Sequence, residues 1–187
     1  MKTQLIKFAG VLALSLLLAV SARALTFGDA HSIGSIVPGV PDDDTSQVAL
    51  LNTLLDLAAG DNQVINVFSG PHDPYSFDRT SNYQPGTGYP NAVEAGAFRD
   101  DTENNLVDLG SGYLYLLAKY GVGGDVPGAD GTAFYVWYVG DMSGTFTIPS
   151  GGLSHFSLYN PGTSVPDGGM TAVLTGLGLL CLSIVAR

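Results

Sequence analysis

Short apolar runs broken by Gly, Pro and Asp fill most of this chain, and one stretch alone carries a helical period. Val48, Leu51, Leu55 and Ala58 recur at helical spacing, and Leu50, Leu54 and Leu57 widen the apolar stripe. The run Asp42-Asp43-Asp44-Thr45-Ser46-Gln47 makes a helix start. Asp44 is placed to cap it, Gln47 follows three residues on, and the acids favour the positive end of the macrodipole. Gly60 is a natural stop. The pattern predicts one amphipathic helix over about 45–59, packed on a sheet.

The rest reads as strands. Residues 25–41 mix apolar positions with Gly28, Gly34, Pro38, Gly39 and Pro41, which predicts short strands and turns. Residues 63–68 form a short β-rich run, and 69–92, with Pro71, Pro74, Pro85 and Pro90, read as a long loop or irregular hairpin. Strands follow at 106–107, 113–120, 132–139, 145–148 and 153–159, divided by Gly, Pro and Asp turns. In 132–139, Phe134, Val136 and Tyr138 alternate with Tyr135, Trp137 and Val139. Both sets are large, so this strand is expected to be central, with both faces covered. Repeated short strands at this spacing predict a mainly β domain over 25–164, a β-sandwich or jelly roll.

The two ends differ from the middle. Lys2 and Lys7 precede an apolar run over 8–20, and Ser21-Ala22-Arg23-Ala24 offers small residues for cleavage after Ala24. Residues 1–24 therefore read as a secretory signal peptide. At the other end, Val165-Pro166-Asp167-Gly168-Gly169 breaks regular structure, because Pro lacks a donor and paired Gly has no fixed dihedral. Residues 170–186 then run without a charge up to Arg187. As a helix they would span roughly 26 Å, at the short limit for a hydrocarbon core of about 30 Å. Arg187 would lie on the cytoplasmic side and the acidic domain outside.

A turn motif with Pro, a short membrane helix and a basic end resemble the tripartite sorting signal of PEP-CTERM proteins of Gram-negative bacteria. Val165-Pro166-Asp167-Gly168-Gly169 is similar to the VPDSG variant of that signal, with Gly168 where the variant often has Ser and a single Arg187 as the basic end. The resemblance implies processing near Val165, Pro166, Asp167, Gly168 and Gly169 by an exosortase, a membrane-embedded cysteine transpeptidase. It also implies an inner-membrane-anchored precursor, later placed at the cell surface or in the extracellular matrix, and an association with exopolysaccharide and biofilm. A flexible turn at the membrane surface would enter such an active site as an extended strand, held there at high effective concentration by the helix. The runs 113–120, 135–140 and 154–160 are also similar to the ends of many PEP-CTERM ectodomains. That implies a shared β domain and no particular activity.

Composition narrows the function. Hydrophobic residues are 45% of the 187 and charged residues only 13%, and the mean hydropathy is +0.25, an apolar excess that sits at the two ends. Within 25–164 the bases are Arg79, Arg99 and Lys119, set against 16 acids. That excludes electrostatic binding to nucleic acid, which needs Lys and Arg to displace phosphate counterions. Cys181 is the one cysteine, so an intrachain disulfide or a thiolate zinc cluster is excluded.

Candidate chemistry is sparse. His31, His72 and His155 form no HExxH, and no GxSxG elbow accompanies a Ser. Ser154 and His155 are neighbours on an expected strand, so they point to opposite faces and cannot act as nucleophile and base. All three histidines read as structural or surface residues. Glu94 and Glu103 are the only glutamates, a thin supply for a polysaccharide hydrolase, although carboxylate pairs are set by the fold and not by spacing. Asp100, Asp101 and Glu103 with Asn105 make the best set of hard oxygen ligands for Ca²⁺, against the simpler reading of solvated turn acids. Tyr75, Phe77, Tyr83 and Tyr89 would offer a stacking platform for sugar rings, or else anchor an irregular loop. The expectation is a non-catalytic surface protein, structural or adhesive in the envelope or exopolysaccharide matrix. A carbohydrate-binding module is its rival.

Overall fold

The computed structural model describes residues 23–80, 90–110, 112–129 and 131–160. The strands are β1 (Arg23–Ala24), β2 (Ser32–Val37), β3 (Asn62–Ile65), β4 (Tyr75–Arg79), β5 (Phe98–Asp100), β6 (Leu106–Asp108), β7 (Tyr115–Tyr120), β8 (Ala133–Tyr138), β9 (Thr145–Thr147) and β10 (Leu153–Tyr159). The helix α1 (Asp44–Asp56) lies between β2 and β3. A seven-stranded antiparallel sheet runs β3-β4-β2-β8-β7-β10-β5, and a three-stranded sheet runs β1-β9-β6. The described residues are thus mainly β, with two sheets and one helix in a sandwich-like arrangement.

β8 sits fourth of the seven strands, and its alternation explains why. Ala133, Tyr135 and Trp137 enter one core, with Val107 of β6, Phe146 of β9 and Leu116, Ala118 and Tyr120 of β7. This is the core between the two sheets. Phe134 and Val136 enter the other, with Leu50, Leu51 and Leu54 of α1 and Ile33, Ile36, Tyr75 and Phe77 of β2 and β4. A strand covered on both faces carries apolar or aromatic side chains on both, and this one does.

The buried rings carry polar tips, and each tip shown here finds a partner, as burial requires. Trp137 Nε1 donates to the Thr26 carbonyl at 3.1 Å, the Tyr120 hydroxyl donates to the Pro149 carbonyl at 3.0 Å, and Tyr135 Oη accepts from the Gly28 amide at 2.7 Å. The Tyr115 hydroxyl donates to the Pro90 carbonyl. The partners are loop backbones, so these rings also hold the connections down. Gly34 serves closeness of a different kind: a Cβ there would fall on the Asp78 carbonyl oxygen of β4.

Four differences from the sequence pattern have plain causes. The helix is capped by Asp43, whose carboxylate accepts from the Ser46 amide at 2.9 Å, so Asp44 is the first helical residue instead of the cap. The helix ends at Asp56, before Gly60, and its buried residues are Gln47, Leu50, Leu51 and Leu54. The segment 69–92, expected as a long loop or irregular hairpin, contributes the regular strand β4, because Tyr75, Phe77 and Arg79 alternate into the interior between β3 and β2. The acidic stretch near 100 begins in β5, an edge strand that pairs with β10.

β1 pairs in parallel with β9, Arg23 opposite Phe146 and Ala24 opposite Thr147. These two residues precede the expected cleavage site. A domain starting at Leu25 would lose them but keep the Leu25 amide bond to the Thr147 carbonyl, 2.8 Å. The rest of the signal segment and everything from residue 161 onward lie outside the described residues. Among those described, no helix is long and apolar enough to cross a membrane.

Candidate functional site

The richest polar arrangement lies under the first turn of α1. On that face of the large sheet β10 places His155, Ser157 and Tyr159 in a row, because strand side chains alternate. Register then sets Lys119 of β7 opposite His155, and Arg99 of β5 opposite Ser157. Gln47 comes down from the helix and is fully buried; His155 is 3% exposed.

Asp42, in the turn before the helix, gathers the donors. Its carbonyl accepts from Arg99 Nη1 at 2.5 Å and from Gln47 Nε2 at 3.2 Å, and its carboxylate pairs with Lys119 Nζ at 2.5 Å. The Tyr159 hydroxyl donates to Gln47 Oε1 at 2.7 Å. Gln47 Nε2 stands 3.3 Å from His155 Nε2, and Arg99 Nη2 stands 3.5 Å from His155 Nδ1. Arg99 also binds Asp101 through Nε at 2.6 Å.

Burial holds the His155 ring down at about 4, and the Arg99 guanidinium adds to this against the opposing pull of Asp42. Burial raises the Tyr159 phenol above its usual range. The imidazole is therefore neutral at pH 7, enclosed and out of reach of a substrate. Ser154 lies on the other face of β10, so the adjacent pair makes no nucleophile and base. What the arrangement does chemically is to tie the helix entry to β5 and β7 through charge-assisted hydrogen bonds and to β10 through neutral ones.

The sequence-derived site residues fare unevenly. Tyr75 and Phe77 are 1% and 0% exposed, packed in the core under α1, so neither presents a ring face to a sugar. That corrects the stacking platform for these two; Tyr83 and Tyr89 lie outside the described residues. The Ca²⁺ set is corrected as well. Among the described residues no three of His, Cys, Asp and Glu come together to hold a metal. Asp100 Oδ1 is turned back on the amide of Thr102 at 2.8 Å, Asp101 is committed to Arg99, and Glu103 stands exposed with φ 57°. Val165, Pro166, Asp167, Gly168 and Gly169 lie outside the described residues, as does the apolar run after them.

His31 sits 3.6 Å from Asp141 at the surface. His72 borders a shallow hollow of about 240 Å³ with Pro41, Phe68, Pro71, Asp73 and Tyr75. The carboxylate there is already spent: that of Asp73 accepts from the amides of Val67, Phe68 and Gly70 at 2.9, 3.1 and 3.0 Å. Sequence reasoning passed over Gln47, Arg99, Lys119 and Tyr159. A signal did exist. Gln47 breaks an apolar helical stripe, and Lys119 breaks an otherwise apolar strand.

No protein-family model, curated protein or solved structure matches this chain.

Proposed function

We propose that this chain is an exported, non-catalytic surface protein, sorted by an exosortase through its segment 165–187. Its role is structural or adhesive in the envelope or exopolysaccharide matrix of a Gram-negative bacterium. In this reading 1–24 is a signal peptide and 170–186 a membrane helix that holds the Val165–Gly169 turn at the bilayer surface. The observation that carries it is the tail itself: a Pro-Asp-Gly-Gly turn, seventeen uncharged residues and then an arginine.

The passive role rests on how the domain spends its charges. Arg79 donates to the Ile33 carbonyl, Arg99 to Asp42 and Asp101, and Lys119 to Asp42, so all three bases are engaged within the domain. The outer surface is left to carboxylates. Contact with an acidic polymer would then run through shared divalent cations and not through direct ion pairs.

Mass spectrometry of the mature protein from a host with an active exosortase tests the sorting. The expected species begins at Leu25 and ends within 165–169, with 170–187 gone. A mature chain still ending at Arg187 would overturn transpeptidation and leave a plain tail anchor.

A further inference from the structure

We propose that Gln47, His155 and Arg99 form an acid-sensitive latch, which holds the first turn of α1 on the large sheet and opens when the His155 ring becomes a cation. The argument is an inventory of donors. The Tyr159 hydroxyl donates to Gln47 Oε1, which turns the amide nitrogen of Gln47 toward the Asp42 carbonyl and the His155 ring. On the opposite side of that ring stands the Arg99 guanidinium, which has donors and no acceptor. A neutral imidazole accepts at one nitrogen and so satisfies one of these two neighbours. A cationic imidazole carries N–H on both nitrogens, and both then face donors. One side must give way.

The charges around the ring come from every element packed there. Asp42, before α1, and Asp101, after β5, favour the cation; Arg99 of β5 and Lys119 of β7 oppose it. From α1 the neighbour is the uncharged Gln47, and β10 itself contributes Ser157 and Tyr159. Arg99 outweighs the acids because it touches the ring, while Asp42 and Asp101 are already neutralised by Lys119 and Arg99. Burial of the ring, 3% exposed, works the same way and keeps it neutral down to about pH 4.

The latch opens on the Gln47 side. Swinging its amide away removes the bond to Tyr159 and the bond to the Asp42 carbonyl together. The first helical turn then keeps the Asp43 cap but loses its tie to β10. β7 and β8 contribute nothing to the Gln47 contacts and stay paired.

Hydrogen exchange on the full chain in detergent micelles reads this directly. Corrected for intrinsic rates, protection of amides 47–50 is expected to fall about tenfold between about pH 6.5 and about pH 4, while β8 amides change less than about twofold. In His155→Gln, which cannot become a cation, that local fall is expected to vanish. A flat wild-type profile, an equal loss in β8, or a fall that persists in His155→Gln would overturn the latch; the last would make Asp42 or Asp101 the trigger. Should His155→Gln not fold, ring-carbon NMR of His155 in the wild-type chain decides. Its titration midpoint must coincide with that of the exchange, and midpoints about one pH unit apart defeat the proposal.

Discussion

A buried imidazole makes stability depend on pH, and the burial dictates the sign. In the folded chain the His155 ring takes a proton only near 4, whereas the unfolded chain returns it to 6.5. Its contribution is complete above about pH 6.5 and shrinks as pH falls toward 4, because over that window the unfolded state binds the proton that the native state refuses. The full shift corresponds to about 3 kcal/mol. Urea unfolding of the wild type is therefore expected to show a lower midpoint at about pH 4.5 than at about pH 7, and a clearly smaller drop for His155→Gln. Equal drops in the two proteins would place the acid sensitivity in the carboxylates instead. The residue scale also shows how function-like features dissolve into packing. Tyr75 and Phe77 look like a platform in a Pro-rich stretch, yet β4 turns both inward under the leucines of α1.

At the scale of elements, α1 depends on its entry. Its exit has no basic residue in the last turn to balance the macrodipole, so the N-terminus carries the electrostatic support. Asp43 caps it, and the Ser46 amide holds the Asp43 carboxyl below its usual range. Replacing Asp43 by Ala is expected to cost about 1 kcal/mol, read as a lowered melting temperature with an unchanged native circular dichroism spectrum. Asp44→Ala leaves that cap bond in place and should cost less; the reverse order would return the cap to Asp44. The strands were easier to read than the helix ends. β10 spans the same residues that alternation predicts, and β8 is central for the reason its pattern implies. β4 and β5 escaped notice because one lies among prolines and the other, Phe98-Arg99-Asp100, is only three residues, too short to show a period.

At the scale of the molecule, charge sets the next expectation. Sixteen acids face three bases over 25–164, and the bases are engaged within the fold. Surface carboxylates then repel one another, and salt screens that repulsion more than it weakens the buried contacts. Raising NaCl from about 20 mM to about 0.5 M should lift the melting temperature by a few degrees. A fall instead would mean that the Asp42–Lys119 and Arg99–Asp101 pairs outweigh the surface repulsion.

The chain's own order of residues settles what is local: where strands alternate, that both faces of β8 are covered, that acids begin the helix, and that the tail is an uncharged run behind a Pro-Gly turn. These follow from neighbours one to four positions apart. The tertiary structure alone decided which polar groups meet. Gln47 reaches His155 across 108 positions and Tyr159 across 112, and Asp42 reaches Lys119 across 77. Such meetings depend on the order of strands in the sheet and on the side where the helix lands, and no local period encodes either.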